Sequence, residues 1–135
     1  MKTKSISKTV RLKCSPAVVY NMLMDAKKHA AFTNSPVKMS KKVKGTFSVF
    51  DGYCTGYNIE LIENFKIVQA WNFKEDGWPS DHFSICAFLL ETDEKNTILT
   101  FTQTGIPEHK AADLRKGWNE FYWEAMKLYL KKNKK

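Results

Sequence analysis

The sequence predicts an α+β fold. A curved antiparallel sheet of about six or seven strands wraps around one long C-terminal helix, and two short helices follow the first strand. Two observations carry this. From Ala111 to Leu130 only Gly117 interrupts a helical pattern, and Leu114, Trp118, Phe121, Ala125 and Leu128 recur at spacings of four, three, four and three. The stretch before that helix alternates with period two and is cut repeatedly by Gly, Pro, Asn and Asp. A helix this aromatic needs a broad apolar surface, and the sheet provides one. The two cannot touch everywhere, so a cavity between them is expected.

The elements follow in order. Residues 3–13 alternate with Ile6, Val10 and Leu12 on one side, as in a half-buried strand, and Lys8 breaks the pattern. Ser15 and Pro16 open a helix as N-cap and first helical residue, and Val19, Met22, Leu23 and Ala26 give it an apolar side. A second short helix spans Asp25 to Phe32 and stops before Pro36, which disfavours helix at Ser35. Five strands are then expected: Thr46–Phe50, Gly56–Glu63, Phe65–Lys74, His82–Glu91 and Thr97–Thr104. The turns Asp51-Gly52, Asp76-Gly77 with Pro79, and Asp93 to Asn96 are short, which favours an antiparallel meander. Alternation assigns Phe47, Val49, Tyr57, Ile59, Leu61, Phe65, Ile67, Trp71 and Phe73 to the concave face. Phe83, Ile85, Ala87, Leu89, Leu99 and Phe101 continue it, with Gln69 and Gln103 as polar members.

Composition narrows the function classes. A chain of 135 residues with 43% apolar content is read as one domain over residues 1–135, able to bury a real core. No apolar run approaches the roughly 20 residues of a membrane span. Met1 to Lys13 lacks the apolar block of a signal peptide, so a cytoplasmic location is expected. Cys14, Cys54 and Cys86 are odd in number and widely spaced, which argues against a disulfide framework or a zinc site and for free thiols. The net charge of +8 is uneven: residues 1–50 carry +10, residues 51–108 carry −7 and residues 109–135 carry +5. Basic ends suggest nucleic acid. However, only Arg11 and Arg115 are arginine, and specific phosphate or base contacts favour Arg, so no specific nucleic-acid partner is expected. The remainder of the basic charge is read as solvated lysine, including the tail Lys131–Lys135.

Several segments together resemble one family. Gly45, Phe47, Phe50 and Gly52 followed by Gly56 form a glycine-aromatic hairpin. Trp71, then Trp78-Pro79, then Phe101, Gln103, Gly105 and Pro107, then Gly117-Trp118 with Tyr122-Trp123, come in the family's order. The chain is similar, from about Lys8 to Leu130, to the activator of heat-shock-protein-90 ATPase homologue-like family. That family lies within the START and birch-pollen-allergen-like (SRPBCC) helix-grip superfamily. The resemblance implies the order β-α-α-β-β-β-β-β-α with the sheet around the last helix. It also implies that in eukaryotic co-chaperones this unit is the C-terminal half of a two-domain protein. Other superfamily members hold hydrophobic ligands in the cavity, and some are enzymes, so fold alone does not settle function.

The residues themselves point to binding rather than catalysis. His29, His82 and His109 have no motif around them and read as ordinary, partly exposed histidines. The acids cluster in turns, and Glu60 reads as the partner of a cross-strand lysine. There is no Walker A, GxSxG or HExxH motif, so no catalytic residue, cofactor or metal ligand is assigned. Trp71, Trp118, Phe121, Tyr122 and Ala125 are candidates to line a cavity, or else simply fill the core. Gln69 and Gln103 would be its polar handles, or would be satisfied locally. Trp123 falls opposite the helix stripe and is a candidate interaction surface unless another segment covers it. Two functions follow. One is a non-enzymatic domain holding an apolar or amphipathic small molecule between sheet and helix. The other is a protein-interaction module related to chaperone ATPase activators, with a chaperone or self-association as partner.

Overall fold

A computed structural model describes residues 1–133; Lys134 and Lys135 of the lysine tail lie outside the described residues. The first strand, β1 (Thr3–Leu12), leads into helices α1 (Pro16–Met24) and α2 (Ala26–Thr33). Six strands follow: β2 (Lys38–Met39), β3 (Thr46–Val49), β4 (Cys54–Ile62), β5 (Lys66–Phe73), β6 (Ser84–Asp93) and β7 (Asn96–Pro107). The final helix runs as α3 (Ala111–Trp118), a π-helical turn (Asn119–Trp123) and α4 (Glu124–Lys132). The expected order is present, with the two-residue β2 added at an edge. Ser15 caps α1 as expected, its side chain accepting from the Val18 amide, and Asp25 caps α2 by accepting from Lys28.

The seven strands form one antiparallel sheet in the order β1-β7-β6-β5-β4-β3-β2. The short turns make β3 to β7 a meander, and β1 closes beside β7. Ile6, Val10 and Leu12 of β1 face the core as expected, as do Phe47 and Val49, then Ile67, Gln69, Trp71 and Phe73, then Leu99, Phe101 and Gln103.

Two strands are corrected. In β6 the buried residues are Ser84, Cys86, Phe88 and Leu90, while Ile85 and Phe83, just before the strand, face solvent and Ala87 and Leu89 are half-buried. Both sides of this strand are apolar, so alternation alone could not choose between them. Register chooses: Trp71 pairs with Ser84, Gln69 with Cys86 and Ile67 with Phe88. In β4, Cys54, Gly56 and Asn58 point inward and Tyr57 and Ile59 outward. A bulge between Asn58 and Glu60 then restores Leu61 to the inner side, opposite Ile67. Gly56 faces inward opposite Trp71, and the position needs glycine because a Cβ there would overlap the Ala70 carbonyl oxygen. Phe65, just before β5, is also exposed rather than concave. Glu60 does pair with a lysine, Lys66 Nζ at 3.0 Å.

The last helix needs a similar correction. Its buried residues are Ala111, Trp118, Tyr122, Trp123 and Met126, whereas Phe121 is 48% and Leu128 is 54% exposed. The π-helical turn inserts one residue into the repeat, so the buried face moves on by about 100° after Trp118. Trp123, expected on the outside, is thereby turned inward and is only 2% exposed. It stacks on Trp118 and meets Phe101 edge-on at 5.1 Å. It is a core residue, not an interaction surface.

Candidate functional site: an aromatic cleft between sheet and helix

The inward polar residues build a frame. Trp71 Nε1 donates to Gln69 Oε1 at 3.0 Å, and Gln69 Nε2 donates to Asn58 Oδ1 at 3.0 Å. Asn58 Nδ2 in turn donates to the carbonyls of Ser40 and Lys42, tying down the segment between β2 and β3. A second chain runs from Trp118 Nε1 to Gln103 Oε1 at 2.8 Å, from Gln103 Nε2 to Ser84 Oγ at 2.8 Å, and from that hydroxyl to the Trp71 carbonyl. Both glutamines are buried and occupied at both ends of the amide. They are not free handles for a ligand; they are the acceptors that let two tryptophans be buried without an orphan N–H.

Above this frame the sheet and helix part to leave a cavity of about 400 Å³. Trp71 and Phe73 of β5 form one wall, and Tyr53 and Cys54 at the start of β4 form another, with Glu75 beside them. The helix supplies Asp113, Leu114, Gly117 and Trp118, and the π-helical turn adds Phe121 and Tyr122. Of the predicted cavity residues, Trp71, Trp118, Phe121 and Tyr122 are brought together here; Gln69, Gln103 and Ala125 do not line the cavity.

Two local features shape the opening. Phe50, at the tip of the β3–β4 hairpin, has φ of 56° on its neighbour Asp51 and 53° on itself, in the left-handed region that bulky residues avoid. That backbone turns the Phe50 ring toward Phe121, 5.7 Å away and edge-on. Gly117 sits in the helix wall, and a Cβ there would meet nothing within 4 Å. A mid-helix glycine costs about 1 kcal/mol relative to alanine, and nothing packed around this one demands it. Its effect is to leave space.

The chemistry at the cavity is mild. Tyr53 donates its hydroxyl to Glu75 Oε2 at 2.7 Å, and Lys110 Nζ lies 3.6 Å from the same oxygen. Burial pushes the Cys54 thiol well above its ordinary range, so it is a protonated, inert wall residue rather than a nucleophile. Behind Tyr122 stands His29, which is 2% exposed and not partly exposed as expected. Its Nδ1 donates to the Leu23 carbonyl at 2.9 Å, and its Nε2 accepts from the Tyr122 hydroxyl at 2.7 Å. Burial lowers its pKa to about 4, so the ring is neutral. Among the described residues no group of three or more His, Cys, Asp or Glu is placed to hold a metal ion.

Sequence reasoning missed Phe50, Tyr53, Phe73, Glu75, Asp113 and Gly117 as lining residues. Alternation had placed Phe73 on the concave face, and the Asp51-Gly52 turn and the lone helical glycine were the other signals.

An antiparallel sheet wrapped around a long C-terminal helix, with a cleft between them, defines the class of α+β helix-grip folds. Within that class the chain belongs to the family described as "Activator of Hsp90 ATPase homolog 1-like protein", whose profile matches residues 13–131. The human activator of 90 kDa heat shock protein ATPase homolog 1 is 29% identical over 113 residues, covering 84% of this chain and 33% of that one. The Dictyostelium discoideum homolog is 32% identical over 120 residues, covering 85% and 31%. The chain thus spans about a third of the length of these curated relatives. A crystal structure of an HSP90 activator from Plasmodium falciparum superposes with a TM-score of 0.87 at 24% identity, covering 93% of this chain and 95% of that one. A protein from Mesorhizobium loti gives 0.85 at 14% identity, covering 98% and 100%. These likenesses support the fold. No helix among the described residues is long and apolar enough to cross a membrane.

Proposed function

We propose that this chain is a non-catalytic interaction domain that docks on a chaperone of the Hsp90 class and modulates its ATPase. The observation that carries this reading is the family match over residues 13–131 together with 29% identity to a relative named as an activator of that ATPase. The geometry is compatible. Burial keeps the Cys54 thiol in the cavity wall protonated, and His29, behind Tyr122 and outside the lining, is neutral and committed to Leu23 and Tyr122. The test is the steady-state ATPase rate of a purified Hsp90-class chaperone titrated with this chain. Saturable stimulation or inhibition, with a matching binding isotherm, is expected. A flat rate and no binding at micromolar concentrations of both proteins would sink the reading.

A second reading has its own observation, the open aromatic cavity of about 400 Å³. That volume lies within the usual range of small-molecule sites, which are mostly apolar with few polar groups. On this reading the cleft holds an apolar or amphipathic small molecule. Native mass spectrometry of the purified chain is expected to find a retained molecule, or a hydrophobic fluorescent probe to bind saturably. Probe binding only on partial unfolding would count against it.

A further inference from the structure

We propose that the cleft selects cations, taking an amine or quaternary ammonium group carried on an apolar body. This rests on the reading of the cleft as a small-molecule site and adds the sign of its ligand. Seven of the twelve lining residues are aromatic, and the only charged ones are two acids, Glu75 and Asp113. Among the described residues no Lys, Arg or His lines the cavity. Ring faces are electron-rich and attract a cation lying over them, an effect worth roughly two- to thirtyfold in affinity depending on desolvation.

The two carboxylates are not equivalent. Glu75 is already engaged, by the Tyr53 hydroxyl at 2.7 Å and by Lys110 Nζ at 3.6 Å. Asp113 forms no ion pair among the described residues. It lines the cavity from the first turn of α3, exposed and, among the described residues, without a cationic side-chain partner. A bound anion would meet the Asp113 carboxylate and the Glu75 carboxylate, the latter partly offset by Lys110, within an aromatic lining. A bound cation would meet complementary charge on Asp113 and, to a lesser extent, on Glu75. The chain as a whole carries +8, which by itself draws anions. A preference for cations therefore has to come from the cleft, which makes it diagnostic.

The test uses three probes of one shape: phenyltrimethylammonium, neutral tert-butylbenzene and benzenesulfonate. Binding is read as quenching of tryptophan fluorescence, since Trp71 and Trp118 line the cavity. The cation is expected to bind saturably and at least about tenfold more tightly than the anion, with the gap narrowing as salt rises. Asp113 is exposed, so Asp113→Asn should fold normally. It is expected to weaken the cation severalfold and leave tert-butylbenzene unchanged. Glu75→Gln, which keeps an acceptor for Tyr53, gives an independent second variant with the same expected direction. Equal affinity for cation and anion, or cation binding that neither variant changes, overturns the selectivity while the cleft stands as a ligand site. Failure of all three probes to bind, the neutral one included, overturns the cleft reading and the selectivity with it.

Discussion

The Tyr122 hydroxyl, on the π-helical turn of the last helix, donates to Nε2 of His29 in α2 at 2.7 Å. This bond ties the helix that walls the cleft to the helices after the first strand. The histidine ring lies stacked on Phe32, 5.0 Å away, and both rings meet Tyr122 edge-on. The pairing requires a neutral imidazole in an apolar setting, and stability should report that. The His29 pKa is lowered from 6.5 to about 4 in the fold. The unfolded chain therefore takes up the proton first as pH falls. The stabilisation is fully present above about pH 6.5 and is lost progressively down to about pH 4, by up to roughly 3 kcal/mol. Urea midpoints measured from pH 7.5 to 4 should fall through this window, and the fall should be much smaller in His29→Gln. An identical pH dependence in the variant would show that His29 is not the titrating group.

The Trp118–Gln103 bond is the second point of strain under mutation. Gln103→Leu keeps the volume but removes the acceptor of a buried indole N–H and the donor to Ser84. The orphaned groups should cost about 1–3 kcal/mol. Trp118→Ala should cost more, about 3–5 kcal/mol, because it also empties the contact with Phe101, Trp71 and Tyr122. A double-mutant cycle between the two positions should show coupling. Strict additivity would mean that the indole N–H finds another partner.

Trp123→Ala tests the rotated helix face. The indole is buried against Trp118 and Phe101, so its truncation should also cost about 3–5 kcal/mol in chemical denaturation. Sedimentation of the variant should match the parent. A loss under about 1 kcal/mol, the scale of a surface change, would contradict the register imposed by the π-helical turn.

How much of this was legible in the sequence depends on what kind of signal each residue leaves. The helix start at Ser15-Pro16 and the turns at Asp51-Gly52 and Asp76-Gly77 are local chemistry, and the elements fell where they indicated. The faces of β5 and β7 were legible because one parity is plainly more apolar. In β6 Ile85 and Leu89 are as apolar as Cys86 and Leu90, so burial was decided by pairing with β5, which is not a local property. In β4 hydrophobicity pointed the wrong way. Asn58 is inward because it anchors the Ser40 and Lys42 carbonyls, and Tyr57 is outward, against Phe83 at 5.5 Å. The π-helical turn has no periodic signature in five residues, so Phe121, expected in the buried stripe, is half exposed at the cleft, and Trp123, expected outside, is core. Trp71, Trp118, Phe121 and Tyr122 were found as cleft candidates because β5 and the helix stretch 118–122 keep them at the sheet–helix boundary despite these shifts. Glu75 and Asp113 were not, since an acid in a loop or first helical turn looks like any solvated acid.

Gly117 offers the sharpest separation of stability from function. Its Cβ position is open and it lines the cavity, so a side chain there grows into the cleft rather than into the core. Gly117→Ala should stabilise the helix by about 0.5–1 kcal/mol through lower backbone entropy in the unfolded chain. Gly117→Leu should retain most of that gain while filling part of the 400 Å³. If the cleft is a binding site, the leucine variant should melt at or above the parent temperature and yet lose saturable binding of a hydrophobic probe. Thermal melts and probe titrations on the same preparations read both quantities. A leucine variant that binds the probe as the parent does would place the probe elsewhere. A variant that is strongly destabilised would mean that Gly117 is held by packing and that the open volume beside it is not free to be occupied.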